Sequence, residues 1–117
     1  MTTLVLGAST NPSRYSYKAI RLLRSYKHKV VAVGLSGGEV DDVVIMKDFP
    51  KEPFDTLTMY LSPAHQHEYY QRIIEAKPRR IIFNPGAENE ELKQLAEQNG
   101  IATEDACTLV LLNTGQY

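Results

Sequence analysis

Four short strand-like runs in this chain stop at small or turn-forming residues: Thr3–Leu6 at Gly7, Val30–Val33 at Gly34, Thr56–Leu61 at Ser62 and Arg80–Phe83 at Asn84. Between them lie stretches whose apolar residues recur at helical spacing. Short apolar runs bounded by turn signals are the pattern of strands buried on both faces. Helical stretches joined to them by short links leave little freedom: the strands must lie parallel, with helices covering the sheet.

Right-handed crossovers reduce the possible topologies to a few, and a Rossmann-like order is the natural one. The expected fold class is therefore α/β, an open parallel sheet with helices on both faces, in one domain of 117 residues. The first helix is expected over Ser16–Tyr26, with Ala19, Ile20, Leu22, Leu23 and Tyr26 inward. A second should run from Pro63 to Ala76, with Ser62 as its N-cap and proline at its first position. A third spans Glu88–Gln98 and stops at Asn99-Gly100. Ile101–Thr103 reads as the last strand, and Asp105 as the cap of a short helix over Cys107–Asn113. Val43–Met46 reads either as a further strand or as an apolar patch on a connection.

In such a fold, ligands sit in the crevice at the carboxyl ends of the strands. Gly7–Ser16, Gly34–Gly38, Tyr60–Pro63 and Asn84–Ala87 would line it. Gly7-Ala8-Ser9-Thr10 lacks a complete G-x-G-x-x-G, and no G-K-[ST] follows it. It is either the tight turn that a strand–helix junction needs, or a phosphate cradle of backbone and hydroxyl donors with Arg14 as a charged partner. On the second reading, a side chain at position 7 would block the approach to the phosphates and leave the fold intact. Tyr60, with Leu61, Ser62 and Pro63 beside it, either holds a flat base or is a core or rim tyrosine. Asn84-Pro85-Gly86 is either a plain turn or a place where backbone comes close to a ligand chain.

Several chemistries are disfavoured. Charge is nearly balanced, 13 basic against 14 acidic residues, so no field recruits nucleic acid or an acidic membrane. No run is long enough to span a bilayer. A lone cysteine, Cys107, fits a reducing compartment, and Met1-Thr2-Thr3 leads straight into a strand without a signal sequence, so the expected location is cytoplasmic. Cys107 has apolar neighbours and no evident base, and is expected to be a buried, inert thiol. His28, His65 and His67 read as solvated, the last two being poorly spaced for a metal. An NAD site places an acid just after the second strand, where this chain has Gly34-Leu35-Ser36. No carboxylate pair stands out, so a binding site is clearer than a reaction.

Gly7-Ala8-Ser9-x-Asn11-Pro12-x-Arg14-x-Ser16-Tyr17 resembles the opening signature of stand-alone CoA-binding domain proteins, which are similar to the N-terminal domain of the succinyl-CoA synthetase α subunit. Val30–Ser36, Asn84–Ala87 with Asn89-Glu90-Glu91, and Glu104–Cys107 extend the likeness over nearly the whole chain. The resemblance implies that residues 1–117 form one CoA-binding, Rossmann-like domain. Its pyrophosphate site would lie by Gly7, Ala8, Ser9 and Thr10. The adenine would lie between Gly34, Leu35 and Ser36 and the Tyr60–Pro63 segment, with the pantetheine passing towards Asn84, Pro85 and Gly86. The family usually has a proline after the second strand, where Leu35-Ser36-Gly37-Gly38 stands here without a basic residue for the 3′-phosphate. The expected function is binding of coenzyme A or an acyl-CoA without catalysis. The alternatives are a small NAD(P)- or nucleotide-dependent enzyme, or an interaction scaffold that has lost its ligand.

Overall fold

Alternation along the first strand sets up both layers of the core. In β1 (Thr2–Leu6), Leu4 and Leu6 point to one face of the sheet and Val5 to the other, and none is more than 1% exposed. This is the position of an interior parallel strand, paired on both sides. The computed structural model describes residues 1–117. The remaining strands are β2 (Lys29–Val33), β3 (Glu39–Val40), β4 (Val43–Met46), β5 (Thr56–Met59), β6 (Arg80–Phe83) and β7 (Ala102–Asp105). They form a seven-stranded sheet ordered β3-β4-β2-β1-β5-β6-β7. Every neighbouring pair is parallel except the β3–β4 hairpin at the edge.

Without that hairpin, the order is the doubly wound, Rossmann-like one. The chain leaves β1 for β2 and β4 on one side, then returns to β5 on the other. Helices α1 (Tyr15–Ser25) and α5 (Thr108–Asn113) cover one face, where Ile20, Leu23 and Leu112 meet Val5, Ala32 and Ile45. On the opposite face, α2 (Pro63–Gln66), a 3-10 turn (His67–Tyr69), α3 (Tyr70–Ala76) and α4 (Glu90–Gln98) bring Tyr69, Ile73, Leu92 and Ala96 onto Leu4, Leu6, Leu57 and Ile81. Each fully buried leucine or isoleucine contributes about 2 kcal/mol relative to exposure. No helix is long and apolar enough to cross a membrane.

Several local expectations need correction. Of the two readings of Val43–Met46 the strand is the one found, and what went unread is its antiparallel partner β3, too short to leave a periodic signal. The helix expected over Pro63–Ala76 is broken by the 3-10 turn. In that turn residues three apart eclipse, and the His67 and Tyr70 rings lie 4.8 Å apart. Tyr26 is 51% exposed because α1 ends one residue before it. His28 is half-buried, its ring edge-on to Tyr117 at 5.1 Å. Asp105 does not cap α5: it ends β7 and pairs with Lys93 at 3.7 Å. The cap comes from the residue after β6, where the Asn84 side-chain oxygen accepts from the Thr108 amide at 2.9 Å. Likewise α4 begins at Glu90 rather than Glu88, with the Asn89 side chain accepting from the Leu92 amide.

Candidate functional site

The return of the chain across β1 opens a cleft of about 660 Å³ at the carboxyl ends of the strands. The β1 exit supplies Gly7, Ala8 and Ser9, and the start of α1 supplies Arg14, Tyr15 and Ser16. The β2 exit contributes Gly34, Leu35 and Ser36, the β5 exit Tyr60, Leu61 and Ser62, and the β6 exit Pro85 and Gly86. Thus four strand ends far apart in sequence meet in one groove. Thr10, Pro63 and Asn84 do not line it. Thr10 packs instead over the next loop, its Cγ2 only 2.7 Å from where a Cβ on Gly38 would lie.

Local hydrogen bonding decides which donors the cleft can offer. The Gly7 and Ala8 amides both donate to Val33 O at 2.9 Å, so neither is a free anion donor. Gly7 has φ +98°, and a Cβ there would lie 3.0 Å from Leu61 N and 3.1 Å from Tyr60 C. Its task is the close approach of the β1 and β5 exits. A substituent at position 7 therefore meets backbone at a strained φ, so it would cost stability as well as crowd the cleft that Gly7 lines. Gly34 has a similar task, since a Cβ on it would come within 2.2 Å of Ala8 O.

The free donors come later. Asn11 Oδ1 accepts from the Ser13 amide and hydroxyl, and Asn11 O accepts from the Arg14 amide, which turns the chain into α1. Arg14 is the N-cap residue, but its side chain makes no capping bond and the first turn holds no acid. The amides of Tyr15, Ser16 and Tyr17 have no partner in the chain. The positive end of the α1 dipole therefore opens uncapped beside the cleft. The Arg14 guanidinium belongs to none of the ion pairs and is the only Lys or Arg in the lining. Dipole and guanidinium together suit an anion.

Two buried polar networks hold the far walls. Gln66 is fully buried, and its Nε2 donates at 2.8 Å to both Leu61 O and Ala87 O, tying the β5 exit to the β6 exit. Its Oε1 accepts from Asn89 Nδ2, which also donates to the Tyr70 hydroxyl. Asn84 is 2% exposed. It donates to Thr58 Oγ1 at 2.7 Å and to Met59 O at 2.9 Å while capping α5. Expected at the ligand, its side chain is a clamp turned into the core, because the β5–β6–α5 junction needs its donors and acceptor.

Tyr60 lines the cleft, is half-buried against the core layer under α1, and has its hydroxyl inside. Burial pushes that phenol up to about 12; the Thr58 and Thr108 hydroxyls temper the rise. Those hydroxyls bond each other at 2.7 Å, and the Tyr60 hydroxyl reaches hydrogen-bond geometry with neither. Tyr60 is therefore both rim and core. Cys107 is a half-buried free thiol at the N-cap of α5 and lies outside the lining. Its burial is thus less complete than expected, although the next residue, Thr108, is fully buried.

Tyr15 lines the cleft within the expected Gly7–Ser16 segment, whereas sequence reasoning missed His65, Glu68 and Tyr69, which also line it. The signal was available: positions 62, 65, 68 and 69 recur at helical spacing immediately after a strand end. The Ser62 hydroxyl and His65 Nδ1 are 2.9 Å apart. No three His, Cys, Asp or Glu side chains converge in a way that could hold a metal. A second, more open hollow on the outer face of α1 is lined by Lys18, Arg21, Arg24 and Asp41. There Arg24 meets Asp42 at 2.7 Å and Arg21 meets Asp41 at 3.4 Å. The Asp42 hydrogen bond raises the Arg24 pKa, and the same bond lowers that of Asp42. Acids already answer two of these cations.

Comparison with known proteins agrees with this architecture. A crystal structure of an uncharacterized protein is 42% identical to the chain, covering 99% of it and 97% of its own length, with a TM-score of 0.96. A Thermus thermophilus protein is 24% identical, covering 99% of this chain and 90% of its own, with a TM-score of 0.88. An acetyl-coenzyme A synthetase of Ca. Korarchaeum cryptofilum is 17% identical with a TM-score of 0.74. The match takes in 90% of this chain but only 26% of that enzyme. No curated protein matches the chain. The family model described as the CoA binding domain matches residues 1–113, and the chain belongs to that family.

Proposed function

We propose that the cleft binds coenzyme A or an acyl-CoA and that the chain acts by binding rather than by turnover. The observation that carries this reading is the uncapped start of α1 with Arg14 beside it, opening onto a groove that crosses four strand ends. The diphosphate would lie on Ser9, the first-turn amides of α1 and Arg14, one step along from Gly7 and Ala8. Leu35, 84% exposed at the rim, would cover one face of the adenine. The pantetheine arm would pass Tyr60 and Leu61 towards Pro85 and Gly86.

The non-catalytic part rests on what the lining offers a reaction. Glu68 is the only carboxylate in the lining, so no acid/base pair of carboxylates is available. Glu68 forms no ion pair that would orient His65 as a base for Ser62.

Calorimetric titration with CoA, dephospho-CoA and NADH tests the reading. CoA should bind saturably. Dephospho-CoA should bind within about threefold of it, because residues 34–38 carry no cation for the 3′-phosphate. NADH should bind at least about tenfold more weakly, since no acid follows β2 to take the ribose hydroxyls. Absence of heat with CoA at millimolar concentration would overturn the proposal.

A further inference from the structure

The cleft has a charge gradient along its length. Its anion-friendly part is at β1, where Arg14 and the open start of α1 lie. Its other end, at the β5 and β6 exits, holds Glu68, which makes no ion pair. The nearest cation along the chain does not answer it. Arg72 donates to the Glu68 carbonyl rather than the carboxylate, and its guanidinium lies over the Tyr69 and Phe49 rings at 5.0 and 5.7 Å. An unanswered carboxylate on the wall of a polyanion site is unfavourable unless the ligand segment beside it is uncharged. The wall is also fixed in place, because Gln66 and Asn89 pin the segment from which Glu68 projects. The same segment also gives the lining Ser62, His65 and Tyr69, and the β6 exit gives it Pro85 and Gly86.

We infer that Glu68 makes the cleft selective for CoA carrying a free thiol or an uncharged acyl group, and disfavours acyl groups that end in a carboxylate. This rests on the CoA-binding reading above and adds the orientation: diphosphate at α1, thiol end at Glu68. Two carboxylates several ångströms apart at a solvated surface repel by an amount that changes affinity about threefold to fivefold at low ionic strength and is screened by salt.

The test compares butyryl-CoA with succinyl-CoA, which have equal carbon counts in the acyl group and differ by the terminal carboxylate. Binding to the whole chain and to Glu68→Gln is measured at one fixed pH and low ionic strength. Succinyl-CoA should bind the unaltered chain about threefold to fivefold more weakly than butyryl-CoA, and the gap should close in Glu68→Gln and in about 0.5 M salt. Butyryl-CoA, which lacks the terminal carboxylate, should gain less affinity from the substitution than succinyl-CoA does. Equal or tighter binding of succinyl-CoA, or a gap that survives Glu68→Gln, overturns the inference while the CoA reading stands. Failure of every CoA thioester and of CoA itself to bind overturns both.

Discussion

Replacing Gln66 with methionine isolates the polar tie between the two far walls of the cleft. Methionine keeps the length and nearly the volume of glutamine, so packing changes little. The hydrogen bonds go. Ala87 O, on the buried side, loses its donor, at a cost of about 1.5 kcal/mol, while the part-buried Leu61 O can regain water and costs about 1 kcal/mol. Asn89 loses the Gln66 oxygen but keeps the Tyr70 hydroxyl and the Leu92 amide, adding about 0.5 kcal/mol. The expected loss is about 3 kcal/mol, a large part of the stability of a domain this size. Urea unfolding should show it as a lower midpoint at unchanged slope, and thermal unfolding as a fall of about 12 °C. A loss below about 1 kcal/mol would refute the reasoning, because water would then satisfy those carbonyls as well as Gln66 does.

Other outcomes follow from the same geometry. Gly7→Val should cost about 2–4 kcal/mol in chemical unfolding, through the left-handed φ and the contact with Tyr60 and Leu61 backbone. Arg14→Ala should leave the unfolding midpoint unchanged and weaken CoA about tenfold by calorimetry, the loss shrinking as salt is added. Tyr60 makes stability sensitive to alkali. Its folded pKa of about 12 lies above the unfolded value of 10.0, so its contribution is complete below pH 10 and is lost as pH rises towards 12. The loss is about 1.4 kcal/mol per pH unit, and burial of Tyr117 acts in the same direction. Tyr60→Phe should flatten that part of the curve and cost nothing at pH 7, because the hydroxyl it removes has no partner.

The layered sheet was legible because its signal is repeated. Each interior strand is a short apolar run, each run ends in a turn residue, and β1 and β2 each feed both faces of the core. The β3 hairpin was not, since Glu39–Val40 has no period to detect. The site was legible as a set of strand ends but not as a set of contacts. Asn84 has the same turn chemistry whether its amide faces a crevice or clamps Thr58 and Thr108. Whether the Gly7 and Ala8 amides are free depends on Val33 O, and hence on how β1 sits beside β2, which no local residue pattern records. Gln66 carries no mark that its partners are carbonyls 5 and 21 positions away. Tyr60, split between rim and core, can be read either way because it is both.

Backbone amide shifts measured while CoA is added test the placement of the ligand most directly. The largest changes are expected at Ser9, Tyr15 and Ser16, with further changes at Leu35 and Gly86. Gly7 and Ala8 should move little, since Val33 already holds both amides. Shifts centred instead on Lys18, Arg21 and Arg24 at the outer face of α1, or no shifts at millimolar CoA, would contradict the account.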